Sequence, residues 1–269
     1  SLSINPGIWQ NETGLKKFLS HFYQLTSFTT DRKTIRSNDT FNLNPFSSSE
    51  DAILGLSTTW QSSLFFNRGK QKHSSTYTYS KSEVTNLLSV GLQESSSQQH
   101  FIQYSHLYQK SWLFQCGIKS ISSAFYADSF EARNFKTQGW LALPKISYLF
   151  SKNASWDIFY QYQNKENKIG FEETLQQNLL GTSFNFSGVK QFTLNGEFNY
   201  IANTFTGDPL SAVGFQMLEG LQPGKNQTWR LLIQKSLTQF LDLNLSYQGR
   251  KSETSNAIHT GSVQLRAFF

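Results

Sequence analysis

The chain has 269 residues, enough for one large β domain or two ordinary ones. Only 38% of them are hydrophobic and mean hydropathy is -0.44, but the 15% aromatic content excludes a disordered chain. No run approaches the roughly 18–20 consecutive apolar residues of a membrane-spanning helix. The formal net charge of +6 comes from Lys and Arg scattered singly, with no basic stripe. That pattern argues against a nucleic-acid partner.

The opening residues, Ser1 to Pro6, lack the basic and apolar regions of a secretory signal, so the chain reads as mature or as a piece of something longer. Residues 1–50 are the least regular part: a periplasmic segment, or the first two strands of the fold. Residues 15–28 look strand-like, 33–43 form a weak partner, and Asn44-Pro45-Phe46 with three serines makes a turn. From residue 51 to 269 one pattern repeats. Residues 52–66 set Leu54, Leu56, Trp60, Leu64 and Phe66 against Ser57, Thr59, Gln61 and Ser63. Shorter strands follow at 74–80, 87–93 and 101–109, then longer ones at 112–125 and 133–150. Pro144, which has no N–H for a ladder, implies a bulge or an irregular strand there.

The last third alternates most regularly. Phe192, Leu194, Gly196, Phe198 and Tyr200 oppose Thr193, Asn195, Glu197 and Asn199, and Leu241, Leu243, Leu245 and Tyr247 oppose Asp242, Asn244, Ser246, Gln248 and Arg250. In the final strand Val263, Leu265, Ala267 and Phe269 oppose Ser262, Gln264 and Arg266. Sustained period-two alternation marks half-buried antiparallel strands. With one face apolar in every strand there is no second apolar layer to bury. The expected fold is therefore all-β, a closed antiparallel transmembrane β-barrel of about fourteen strands. Twelve of these are clear from residue 52 onward. Trp60, Trp112, Trp156, Trp229, Tyr247 and Phe269 near strand ends suit interfacial girdles.

The single cysteine, Cys116, lies in phase with Phe114 and Ile118 and reads as a packing residue. No catalytic, metal-ligating or phosphate-cradling motif is present, so neither cofactor nor metal is expected and the chain reads as non-enzymatic. The five histidines are far apart in sequence. His259, beside Thr260 and Ser262, supplies a remote alternative, an outer-membrane hydrolase. Alternation points Asp157, Glu197, Arg230, Asp242, Arg250 and Arg266 inward. If the last loop sets Arg250 opposite Ile258, Asp242 faces Arg266 near the periplasmic mouth. These charges form either a solute-selecting constriction or a structural network filling the lumen. A long outer segment, 204–226, is more apolar than an exposed loop requires, through Val213, Phe215, Met217, Leu218 and Leu221. It either folds into the barrel mouth or meets a partner.

Two resemblances add to this reading. The final strand, ending on Phe269, resembles the C-terminal signal read by the outer-membrane barrel-insertion machinery. The runs 218–229, 247–253 and 258–261 resemble the C-terminal barrel region of large outer-membrane proteins of Bacteroidota, which carry a long β-rich part ahead of the barrel. That resemblance implies a bacterial outer-membrane location and brings no activity with it. The expected role is a membrane-embedded scaffold or anchor working with other envelope proteins in outer-membrane lipid and lipopolysaccharide. A passive or substrate-selective pore is the alternative.

Overall fold

The computed structural model describes residues 1–9, 11–34, 53–68, 72–188 and 192–267. Thirteen antiparallel strands form one sheet in which each strand pairs with the next in sequence. They are β1 (Leu2–Ile4), β2 (Phe22–Thr34), β3 (Ile53–Phe66), β4 (His73–Leu88), β5 (Gly91–Tyr108), β6 (Trp112–Ala127), β7 (Phe135–Ser151), β8 (Ala154–Asn167), β9 (Thr174–Gly188), β10 (Phe192–Thr206), β11 (Gly224–Thr238), β12 (Leu241–Ser252) and β13 (Ile258–Ala267). Two short helices, α1 (Leu15–Leu19) and α2 (Ala212–Leu218), interrupt the meander.

The register keeps one side-chain class on each face throughout. Phe28 lies opposite Trp60, Ile102 opposite Ile118, Ile146 opposite Ile158, and Leu243 opposite Leu265. These residues face outward, and all but the half-buried Leu243 are exposed, as are Trp112, Trp156, Leu180, Phe198 and Val263. Cys116 shares that outer face and is exposed. The inner face carries Ser63, Gln163, Gln177, Asn203 and Asp157, all buried. Such a sheet turns oil outward and water-loving groups inward, which is the arrangement of a membrane barrel.

Aromatic residues of the outer face gather both at one rim and in a second band toward the other, where Trp140 packs on Tyr162 and Trp229 lies near His259. At the first rim Phe18 of α1 packs on Phe22 and Phe66, with ring centroids 5.3 and 6.3 Å away, and Trp112 packs on Tyr148 at 4.8 Å. The two-residue turns at 152–153 and 239–240 share this rim with the three-residue link at 109–111, while one two-residue turn, 89–90, lies on the other. The longer connections at 128–134, 168–173, 207–223 and 253–257 sit on the opposite rim. Barrels keep short turns on the periplasmic side, so the long-loop rim faces outside. Strands β3 to β11 run 14–18 residues, against the roughly 9–11 that cross a bilayer. Their outer ends turn Glu94, Ser96, Asn164, Glu166 and Gln176 outward, and so rise above the hydrocarbon.

Several boundaries differ from expectation. Residues 74–80 and 87–93 are not separate strands: β4 runs unbroken to Leu88, turns at Ser89–Val90, and β5 begins at Gly91. The polar stretches 81–83 and 94–98 are strand, so eleven strands rather than twelve lie from residue 53 onward. Gly91, at φ 119°, supplies the conformation that closes this turn. Residues 15–19 are helix, because Leu15, Phe18, Leu19 and Phe22 repeat at helical spacing. Pro144 causes no register shift: Ala142 pairs with Tyr162 and Lys145 with Phe159, and only the rungs between them are missing. Phe269 and most of 33–43 lie outside the described residues.

Inner-wall aromatics lie flat over glycines on neighbouring strands. A Cβ at Gly181 would collide with the Phe159 ring and with Asn199 Oδ1, and one at Gly117 would meet Phe101. Gly181→Val is therefore expected to destabilise the wall by about 1–3 kcal/mol, read as a lower urea midpoint of the micelle-solubilised protein. An unchanged midpoint would show that this packing carries no strain.

Candidate functional site

The segment 207–223 turns back into the outer mouth of the sheet and forms its most buried feature. Ser211 caps α2 by accepting from the Gly214 backbone N–H at 2.9 Å. From there Val213, Met217 and Leu218 fall on one helical face and pack against Leu175, with Phe135 and Phe205 at the margin. Leu218 is fully buried and Met217 is 1% exposed. Burying side chains of this size contributes roughly 1.5–3 kcal/mol each. Gly214 is needed for the approach, since a Cβ there would strike the backbone of Asp208 and Pro209. Of the five apolar residues in the segment, Phe215 stays 67% exposed and Leu221 is half-buried. The loop thus seats its apolar face on the inner wall instead of presenting it outward, because that wall offers apolar partners.

A polar ladder on β9 to β12 fixes the return of this segment. Gln177 Nε2 donates to Asn203 Oδ1 at 2.9 Å, and Asn203 Nδ2 donates to the Gln222 carbonyl at 3.1 Å. The same carbonyl accepts from Asn226 Nδ2 at 2.7 Å, and Asn226 Oδ1 accepts from Ser252 Oγ at 2.6 Å. Asn226 is 1% exposed, so each of these bonds is made out of water, where an unpaired group costs about 1–3 kcal/mol. At the far end of α2, Lys165 Nζ meets Glu219 Oε1 at 2.8 Å and Arg250 donates to the Gly220 carbonyl at 3.5 Å. Glu219 is largely exposed, so that pair adds at most about 1 kcal/mol.

The expected lumen charges occupy different heights. One transverse row of partners runs Asp157, Ser183, Glu197, Arg230, Gln248, Thr260. Asp157, 5% exposed, accepts from Lys145 at 3.0 Å, Ser183 at 3.1 Å and Asn185 at 3.3 Å. Glu197 accepts from Asn199 at 2.7 Å. Asp242 sits opposite Arg266 and Arg250 opposite Ile258, the register that the loop implied, and Asp242 also accepts from Ser236 at 2.6 Å. Asp242 and Arg266 are thus at the periplasmic end, while Arg250 is beside the plug. The six charges do not make one ring. At the short-turn rim, away from α2, a cavity of about 860 Å³ opens between Ser105, Leu107, Lys110, Gln115, Leu149 and Lys152.

His259 points the other way. It stacks with Tyr247, whose hydroxyl lies 2.8 Å from Nδ1, and packs near Trp229 on the outer face. Strand alternation puts Thr260 and Ser262 on the inner face, so the three residues adjacent in sequence do not meet. Among the described residues no group of three His, Cys, Asp or Glu side chains is placed to hold a metal ion.

No protein-family model matches the chain, and no curated protein matches it. Solved structures with a similar course include CdiB from Acinetobacter baumannii, 12% identical over 80% of this chain, with a TM-score of 0.49. The chain spans 45% of that protein's length. The beta domain of the Bordetella autotransporter BrkA is 8% identical over 93% of this chain and 99% of its own, with a TM-score of 0.37. The translocator domain of the autotransporter NalP from Neisseria meningitidis is 12% identical over 92% and 87%, with a TM-score of 0.32. The two faces of the sheet decide the class. This is a bacterial outer-membrane β-barrel. An antiparallel meander with lipid-compatible residues outside and polar ones inside belongs to that membrane.

Leu218→Asp places a charge in the apolar seat of α2 and is expected to release the plug without unfolding the wall. External protease should then cut within 207–223 much faster, while the protein keeps its folded migration before heating. Asn226→Ala is expected to give an intermediate rate. Equal cleavage of all three proteins would show that this segment is not held.

Proposed function

We propose that the chain is a plugged, non-enzymatic barrel that serves as a membrane-embedded scaffold or anchor within an envelope assembly. The observation that carries this reading is the occupied outer mouth: α2 is seated by apolar contacts, and its return is fixed by the ladder through Asn203, Asn226 and Ser252. A wall that invests this much order in closing its lumen is suited to holding position in the membrane. The partners that fit are outer-membrane lipid and lipopolysaccharide around the apolar face, and other envelope proteins at the rims. Val263, Leu265 and Ala267 on the outer face of β13, together with Phe269, are the residues for recognition by the barrel-insertion machinery. The likeness to Bacteroidota barrel regions belongs to the same reading.

A second reading, a gated pore, is favoured by the roughly 860 Å³ cavity at the short-turn rim and by the charged row Asp157, Glu197 and Arg230. Planar-bilayer recording separates the two. The intact protein is expected to show no steady conductance, and a variant lacking 208–222 is expected to show discrete openings. Steady channels in the intact protein, lost when Ser183 is replaced by Trp, would overturn the scaffold reading.

A further inference from the structure

At the periplasmic rim, away from the plug, a cavity of about 500 Å³ is lined by Asn5, Asn11, Lys17, Ser20, His21, Phe22, Tyr23, Asn67 and Arg68. Its volume is within the usual range for small-ligand sites. Its chemistry is one-sided: among the described residues two cations, a histidine and five neutral hydrogen-bonding side chains line it, and no carboxylate does. Glu12, on the same segment, instead meets Lys16 at 3.7 Å. The Arg68 guanidinium is held by ring faces, 4.2 Å from the Tyr23 centroid and 5.2 Å from that of Phe65. Stacking orients the planar group but leaves its N–H edge to donate. Among the described residues no carboxylate or carbonyl accepts from it.

We infer that this cavity binds a phosphate group, and that the group is the headgroup phosphate of a phospholipid in the periplasmic leaflet. Cationic forks and ammonium groups make short charge-assisted bonds to phosphate oxygens. The lipid source follows from what adjoins the cavity. Phe22, in its lining, belongs to the outward aromatic cluster with Phe18 and Phe66. On α1 the exposed Leu15 and Phe18 lie beside Lys16 and Lys17, so an apolar surface meets a basic one at the interface. A bound lipid would lay its chains along Phe18 and Phe66 and reach its phosphate past the strand ends to Lys17 and to Arg68, which is held over the inward-facing rings of Tyr23 and Phe65. The site would pin the N-terminal segment to the barrel rim, whether or not the lumen conducts.

The test uses the full chain in maltoside micelles, titrated with short-chain phosphatidylglycerol, with inorganic phosphate, and with a short-chain diacylglycerol lacking phosphate. Thermal unfolding reports binding. Phosphatidylglycerol should stabilise the protein, and the double variant Lys17→Gln/Arg68→Gln should weaken its apparent affinity by about tenfold or more. Lys110→Gln, at another basic turn of the same rim, should not. Inorganic phosphate binding as tightly as the lipid would keep the phosphate site but overturn the lipid assignment. Lys17→Gln alone, on an exposed helix, guards against misfolding of the double variant, and Lys17→Arg should restore affinity. Equal stabilisation by diacylglycerol, or unchanged affinity in the double variant, would overturn the site.

Discussion

Hydrocarbon offers no partner for a peptide N–H or carbonyl, so a chain without long apolar helices can cross a membrane only by pairing every strand with its neighbours. The rest of this structure follows from that constraint. Pairing forces an extended backbone, which sends successive side chains to opposite faces, and each face then meets a different medium. Leu243 and Leu245 are beside Leu265 and Val263 on the outside, while Asn244 and Ser246 are beside Gln264 and Ser262 within. A slip of one residue anywhere would exchange the two sets, so the apolar face also fixes the register.

The same constraint explains why the lumen can hold a plug. Inner positions are released from lipid and can carry either polar or apolar groups. Near the outer mouth the chain uses this freedom twice. Leu175, Phe135 and Phe205 make an apolar seat, and Gln177, Asn203 and Asn226 make a ladder that satisfies a returning backbone. Because β3 to β11 exceed the bilayer in length, this lining lies in the part of the wall above the hydrocarbon. Closing the mouth there leaves the lipid-facing residues undisturbed.

Much of this was legible in the sequence where the two faces differ in polarity. In β10 and from Leu241 to Ala267 strand identity and facing are legible, and the Asp242–Arg266 register follows once the last loop sets Arg250 opposite Ile258. Legibility failed where both faces are polar. On β4 and β5, Lys81, Glu83, Ser96 and Gln98 face outward beside inward Ser82, Ser95 and Ser97, so the alternation vanishes and the pattern breaks two long strands into three short ones. The real turn carried a small signal, a glycine at 91. Helices were missed for a different reason. Leu15, Phe18, Leu19 and Phe22 carry a period near 3.6, but in a stretch too short to stand out among strands. In α2 the capping Ser211 ahead of Val213, Met217 and Leu218 was the available signal. That Gln222 would offer its carbonyl to two asparagines belongs to tertiary geometry alone.

The claim beneath all of this is that neighbouring residues live in different solvents. It is tested by single nitroxide labels at successive positions 243 to 246 and 197 to 200, in a Cys116→Ser background reconstituted into bilayers. Collision rates with oxygen and with a water-soluble nickel chelate would be measured at each. Oxygen should dominate at Leu243, Leu245, Phe198 and Tyr200, and the chelate at Asn244, Ser246, Glu197 and Asn199. Accessibility to both probes that does not alternate along either strand would contradict the account.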